Sequence, residues 1–158
     1  MNTHTRTTDS TLKVLFVCHG NINRSPSAEI VAKQLHPDWE VKSCGLKTWP
    51  GRITAKKMRD TLNRRGYATD GIRSTPITPE LVEWADLILY MDGGNEKRFL
   101  AQFGSIEKAE RLSNYTKCVN RIPDPTWCKD YSTHEQLVDL LEESIENISK
   151  QCKDYSMA

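Results

Sequence analysis

The sequence predicts an α/β domain, a parallel β-sheet covered by helices on both faces. Three observations lead there. Short runs rich in β-branched and aromatic residues alternate along the chain with stretches of helical periodicity. One run, Asp86-Leu87-Ile88-Leu89-Tyr90-Met91, is apolar almost throughout, as a strand buried on both faces must be. The first run, Leu12 to Cys18, passes through a short polar loop straight into a helix start.

Taken in order, Leu12-Lys13-Val14-Leu15-Phe16-Val17-Cys18 reads as the first strand. The helix after it has Ser25 as a candidate cap, Pro26 in its first turn and Glu29 near the positive end of its dipole. Ala28, Ile30, Val31 and Leu35 keep helical spacing up to His36-Pro37. Trp39 to Cys44 is the second strand, broken at Gly45, and Trp49-Pro50-Gly51 is loop. Ile53 to Arg65 reads as a helix with Met58 and Leu62 inward and Gly66 as its C-terminal glycine. Tyr67 to Pro76 is irregular, and Thr78-Pro79-Glu80 starts a short helix to Trp84. The third strand, 86–91, ends at Gly93-Gly94, with a helix from Glu96 to Phe103. Lys108 to Ser113 is a weaker fourth strand, and 114–131 a long loop. Thr133-His134-Glu135-Gln136 resembles a capping start for the last helix, whose Leu137, Leu140, Leu141, Ile145 and Ile148 form one apolar stripe.

At 158 residues the chain is one domain, 12–152, with a polar, Thr-rich flexible segment expected at 1–11 and a tail at 153–158. A formal charge of +1 gives no basic surface for nucleic acid, and no apolar run approaches a membrane span. The five cysteines are odd in number and scattered, which argues against a secreted disulfide framework and for a reducing cytoplasm. There is no C-x-x-C pair and no His cluster, so neither a metal nor another cofactor is expected.

The chemistry concentrates after the first strand. Cys18 is followed by five residues and then Arg24. A strand-loop-helix junction points several backbone N–H groups and a helix N-terminus into one small space, which binds anions. A cysteine there has its thiolate stabilised and becomes a nucleophile. An arginine at the far end of the loop can hold two phosphate oxygens with its planar fork. On these residues alone a second reading stays open, in which Cys18 is a small buried hydrophobe. Asp124-Pro125 is likewise either a turn or an acid–base group.

Val17-Cys18-His19-Gly20-Asn21-Ile22-Asn23-Arg24-Ser25-Pro26 resembles the C-x-G-N-x-C-R-S-P signature of the low-molecular-weight protein tyrosine phosphatases. The Asp124-Pro125 pair stands where that family keeps its general acid. The resemblance spans about Leu12 to Lys150. It implies a four-stranded parallel sheet of order 2-1-3-4, flavodoxin-like. It implies a phosphatase acting on phosphomonoesters, phosphotyrosine first among them, through a cysteinyl-phosphate intermediate. Cys18 would be the nucleophile, Arg24 the phosphate clamp and Asp124 the general acid. His19, Gly20, Asn21, Ile22, Asn23 and Ser25 would form the phosphate loop, with Ser43 supporting Asn21. Trp49 and Trp127 would wall the substrate cleft, a core role being the alternative for each. Asp92 follows the third strand in a Met-Asp pair seen in the family. The basic residues Lys56, Lys57, Arg59, Arg64 and Arg65 read as a solvated face.

Four departures stand out, the first being His19 in place of a more usual apolar residue. Asn23 occupies the place of the usual second cysteine and cannot protect Cys18 by a disulfide. Ile72 stands where many members carry a supporting His, which implies a thinner loop network. Thr126-Trp127 replaces a common Tyr-Tyr. The rival readings are a phosphatase of a small nucleotide or sugar phosphate, an arsenate reductase of the same fold, a protein arginine phosphatase, and a silent phosphate-binding module. The arginine phosphatases have Thr at the position of Ile22, and the reductase needs relay cysteines, of which none lies between Cys44 and Cys118. The expected partner is a phosphorylated protein or small phosphomonoester, with no nucleic acid and no membrane, the chain being a monomer or weak dimer.

Overall fold

The structure is a computed structural model that describes residues 11–117 and 119–157, with side chains through Cys152. The segment expected at 1–11 lies, but for its last residue, outside the described residues, and so does Cys118. Four strands form one sheet: β1 (Lys13–Cys18), β2 (Glu40–Gly45), β3 (Leu87–Tyr90) and β4 (Ala109–Arg111), in the order β2-β1-β3-β4. Every pairing is parallel, with Cys18 opposite Gly45 and Val17 opposite Tyr90. The helices are α1 (Arg24–Leu35), α2 (Lys56–Arg64), α3 (Pro79–Trp84), α4 (Gly93–Phe103) and α5 (Ser132–Met157), with a 3₁₀ turn at Leu112–Tyr115.

The apolar run of β1 is buried on both sides because alternate residues face opposite layers. Val14, Phe16 and Cys18 join Val31, Met58, Leu62, Leu137 and Leu141, from α1, α2 and α5. Leu15 and Val17 join Val82 and Phe99, from α3 and α4. The order 2-1-3-4 puts a switch in winding between β1 and β3, and a ligand site forms beyond the carboxyl ends of strands at such a place.

Several local expectations are corrected. Ser25 does not cap α1: Asn23 is the residue before the helix, and the Ser25 hydroxyl turns back to Cys18. The helix expected from Ile53 begins at Lys56, because Ile53 makes an antiparallel bridge with Arg73. Gly93 and Gly94 open α4 rather than ending β3, because the Asp92 carboxylate accepts from Asn95 N–H at 2.8 Å and caps the helix there. Asp130, not Thr133, meets the start of α5, accepting from the Ser132 N–H and hydroxyl. The fourth strand is shorter than expected, its C-terminal part winding into the 3₁₀ turn. Helix α5 runs through Met157 where a tail was expected from 153, since no Gly or Pro interrupts it. Gly66 sits at φ 90° just past α2, in the left-handed conformation that a helix-ending glycine supplies.

Candidate active site

The loop from Cys18 to Arg24 closes over the end of β1. Its close fit to β2 requires Gly45, where a Cβ would come within 2.9 Å of the His19 carbonyl. Asn21 turns the loop with φ 55°, the one non-glycine positive φ among the described residues. Three hydrogen bonds hold its side chain: Nδ2 donates to Ser25 Oγ (2.7 Å) and Ser43 Oγ (3.0 Å), and Oδ1 accepts from the Thr75 N–H (2.8 Å). In that conformation the Asn21 N–H donates to Cys18 Sγ at 3.2 Å. Ser25 Oγ lies 2.9 Å from Sγ and accepts from Asn21, so its proton can go either to a Cys18 thiolate or to the Cys44 carbonyl, 3.4 Å away.

The network behind the loop extends to α1. Ser43 donates to Glu29 Oε1 at 2.6 Å, and Glu29 pairs with Lys33 at 2.6 Å. A carboxylate from α1 thus closes the chain of hydrogen bonds, while Ile72 packs against the core. Arg24 is buried, at 4% exposure. Its Nη1 donates to Asp92 Oδ2 (2.7 Å) and to the Ile122 carbonyl (2.9 Å), and its Nη2 lies 3.7 Å from Asp124 Oδ2. Burial alone would raise the Asp92 carboxyl, but the Asn95 N–H and the Arg24 guanidinium outweigh it and hold it below the usual carboxylate range.

Asp124 reaches the site from the loop before α5 and stays 45% exposed. Its Oδ1 accepts from the Thr126 N–H (3.0 Å) and hydroxyl (2.5 Å). Asn23 Nδ2 donates to Thr126 Oγ1 at 3.4 Å, so the residue in place of a second cysteine touches the turn that carries the carboxylate.

Cys18, His19, Gly20, Ile22, Asn23, Arg24, Trp49, Asp124 and Trp127 line one cleft of about 530 Å³. Asn21, Ser25 and Ser43 do not line it; they stand beneath and behind the loop. Trp49 is 63% exposed and Trp127 91%, which removes the core reading for both. Of the basic residues read as a solvated face, Arg64 at the end of α2 pairs with Glu135 of α5, and Arg65 just past it joins Glu135, Asp139 and Glu142. Sequence reading passed over Glu29 as a partner of Ser43, Thr126 as a partner of Asp124 and Asn23, and Thr75 altogether. The one sequence signal among them is the Asp-Pro-Thr turn.

The sequence model of the low molecular weight phosphotyrosine protein phosphatase family matches residues 13–156. The chain belongs to that family. This phosphatase is 33% identical to a Synechocystis protein named as a low molecular weight protein-tyrosine-phosphatase, over 87% of this chain and 94% of the relative. It is 30% identical to the protein-arginine-phosphatase of Bacillus subtilis, over 90% of this chain and 97% of the relative. Among solved structures, a YwlE mutant from Bacillus subtilis superposes with a TM-score of 0.82 at 30% identity, covering 90% of this chain and 99% of that one. A protein tyrosine phosphatase from Entamoeba histolytica does so with a TM-score of 0.81 at 28% identity, covering 92% and 99%. By family the phosphatase is a cysteine-dependent hydrolase, and the relatives it resembles are named for action on phosphorylated protein. Among the described residues no helix is long and apolar enough to cross a membrane.

Proposed function

We propose that the chain hydrolyses phosphotyrosine in proteins through a cysteinyl-phosphate intermediate. The observation that carries this reading is Cys18 Sγ at the floor of the cleft, met by the Asn21 N–H and Ser25 hydroxyl and faced by the Arg24 and Asp124 side chains. The thiolate attacks phosphorus in line, and the P–S bond forms as the P–O bond to the phenol breaks. Arg24 and the backbone N–H groups of the 18–24 loop take the charge of the non-bridging oxygens, which develops without any group having to move. Asp124 gives its proton to the departing phenolate oxygen. As a carboxylate it then takes a proton from the water that cleaves the P–S bond, returning the thiolate and releasing phosphate.

Ile22, Trp49 and Trp127 line the cleft with apolar and aromatic surface. A phenyl ring stacks on such walls, whereas the guanidino group of phosphoarginine needs polar partners there. A phosphoarginine activity is the second reading, favoured by the Bacillus subtilis relative. Arsenate reduction is disfavoured: Cys44 packs in the layer opposite Cys18, across the sheet. Among the described residues Cys18, Cys44 and Cys128 form no disulfide, which fits a reducing cytoplasm, and we take the working form to be a monomer or weak dimer.

Specificity constants on peptides differing only in phosphotyrosine or phosphoarginine test the reading. Phosphotyrosine is expected to exceed phosphoarginine by at least about tenfold. Cys18→Ser abolishes turnover of both while phosphate still binds, and Ile22→Thr narrows the gap. A higher constant on phosphoarginine overturns the tyrosine assignment, and Cys18→Ser within tenfold of wild type overturns the nucleophile.

A further inference from the structure

The phosphate loop accounts for the phosphoryl group and the tryptophans for the ring, but the cleft continues past both. One wall is the segment after β2, which contributes Lys47, Trp49 and Arg52; the opposite wall contributes Thr126 and Trp127 and no cation. Lys47 is exposed and Arg52 half-buried. Neither forms an ion pair among the described residues, although the chain carries 21 carboxylate side chains. Most lysines and arginines of the described residues are likewise without an ion pair, so it is their place together on the wall of the cleft that sets these two apart. Two unmatched cations on one side of a catalytic cleft ask for anionic substrate groups beyond the phosphate.

Both cations stand on fixed backbone. The Lys47 N–H donates to the His19 carbonyl at 2.9 Å, which ties Lys47 to the residue next to the nucleophile. Buried Ser74 clasps the rest of the wall. Its hydroxyl donates to the Trp49 carbonyl (2.7 Å) and accepts from the Arg52 N–H (2.8 Å). Its carbonyl accepts from the Gly51 N–H (3.0 Å), and its N–H donates to the Arg52 carbonyl (2.8 Å). The Arg52 guanidinium lies over the Trp49 ring, 4.1 Å from its centroid, which keeps it at the wall of the cleft. A net charge of only +1 gives the molecule no general pull on polyanions, so any such preference must be local.

We propose that Lys47 and Arg52 form a subsite for carboxylates immediately flanking the phosphorylated residue, so that the preferred substrates are acidic phosphopeptide segments. The proposal rests on the reading of the chain as a protein phosphatase. A peptide is the better fit than a compact metabolite because the walls are broad and open, with Trp127 almost wholly exposed.

The test uses the full chain and two peptide pairs, with glutamate or alanine on both sides of phosphotyrosine, and the same flanks around phosphoarginine. The readout is the glutamate-to-alanine ratio of kcat/KM within each enzyme, so a general change in activity cancels. Wild type is expected to give about tenfold at low ionic strength, two rim contacts of roughly threefold each. The ratio falls toward about twofold in ~0.5 M salt as the screening length shortens. Lys47→Gln and Arg52→Gln each leave about threefold, and the double variant about one. A wild-type ratio near one, or a double variant that keeps the wild-type ratio, overturns the subsite. So does a compact bisphosphate turned over faster than the acidic peptide. Should phosphoarginine prove the better substrate, the same ratio is read on its pair, and only the tyrosine assignment falls.

Discussion

Asn21 is where fold and chemistry meet, and replacing it has a magnitude that the contacts set. Asn21→Ala removes three side-chain hydrogen bonds, to Ser25, Ser43 and Thr75. At about 1 kcal/mol net for each, that is about 3 kcal/mol. Alanine also tolerates the φ of 55° less well than asparagine does, which adds roughly 1 kcal/mol. The expected loss is therefore about 4 kcal/mol if the loop keeps its shape, a large part of the ~5–15 kcal/mol that holds a domain folded. If the backbone instead relaxes out of the left-handed region, the stability loss is smaller, but the Asn21 N–H leaves Cys18 Sγ and activity falls by at least about tenfold. Asn21→Gly loses the same three bonds and escapes the strain, against about 0.4–1 kcal/mol of added unfolded-state freedom, so it should be more stable than Asn21→Ala by roughly 0.5 kcal/mol. Urea unfolding with kcat/KM on p-nitrophenyl phosphate reads both quantities. Asn21→Ala within about 1 kcal/mol of wild type and within threefold in activity would refute the reasoning.

Three further outcomes are expected. Asp124→Asn should lose about an order of magnitude more kcat/KM on phosphotyrosine than on p-nitrophenyl phosphate, because the more basic phenolate needs the proton more; equal losses would make Asp124 a turn residue only. Peroxide should inactivate the enzyme in a way dithiothreitol does not reverse, since Asn23 offers no thiol and Cys44 lies across the sheet; full recovery with a Cys18 disulfide seen by mass spectrometry would show another cysteine resolving it. The Asp92 carboxyl titrates lower when folded than unfolded, so its contribution is complete above about pH 4 and is lost as pH falls through the lower folded value. The gap in Tm between wild type and Asp92→Asn should therefore narrow toward pH 2.5, and parallel curves would show that neither the Asn95 N–H nor the Arg24 guanidinium lowers the Asp92 carboxyl.

Periodicity and local composition were enough to read much of this protein. The β1 run, the all-apolar β3 and the stripe on α5 repeat with their own period, and burial follows period whatever the partner is. The Cys18–Arg24 junction was legible for a related reason: all of its chemistry lies within a few consecutive residues at one strand end. Element edges were less so, since Ile53 left its helix for a bridge with a residue 20 positions on. Of the residues that brace the site, Ser43 was named only through the family resemblance, and the longer-range pairings were not legible. Arg24 finds Asp92 across 68 positions, Ser43 finds Glu29 across 14, and Thr75 finds Asn21 across 54. Each is an ordinary polar residue in its own neighbourhood, and its side chain has several partners open to it until the sheet order 2-1-3-4 brings one near. Chain-local chemistry therefore pointed to Cys18 and Arg24 as a candidate nucleophile and clamp, while Asp124 stood out as a candidate acid only through the family resemblance. The network that holds them in place, and the unmatched Lys47 and Arg52 beside them, exist only because a parallel sheet gathers distant loops at the carboxyl ends of its strands.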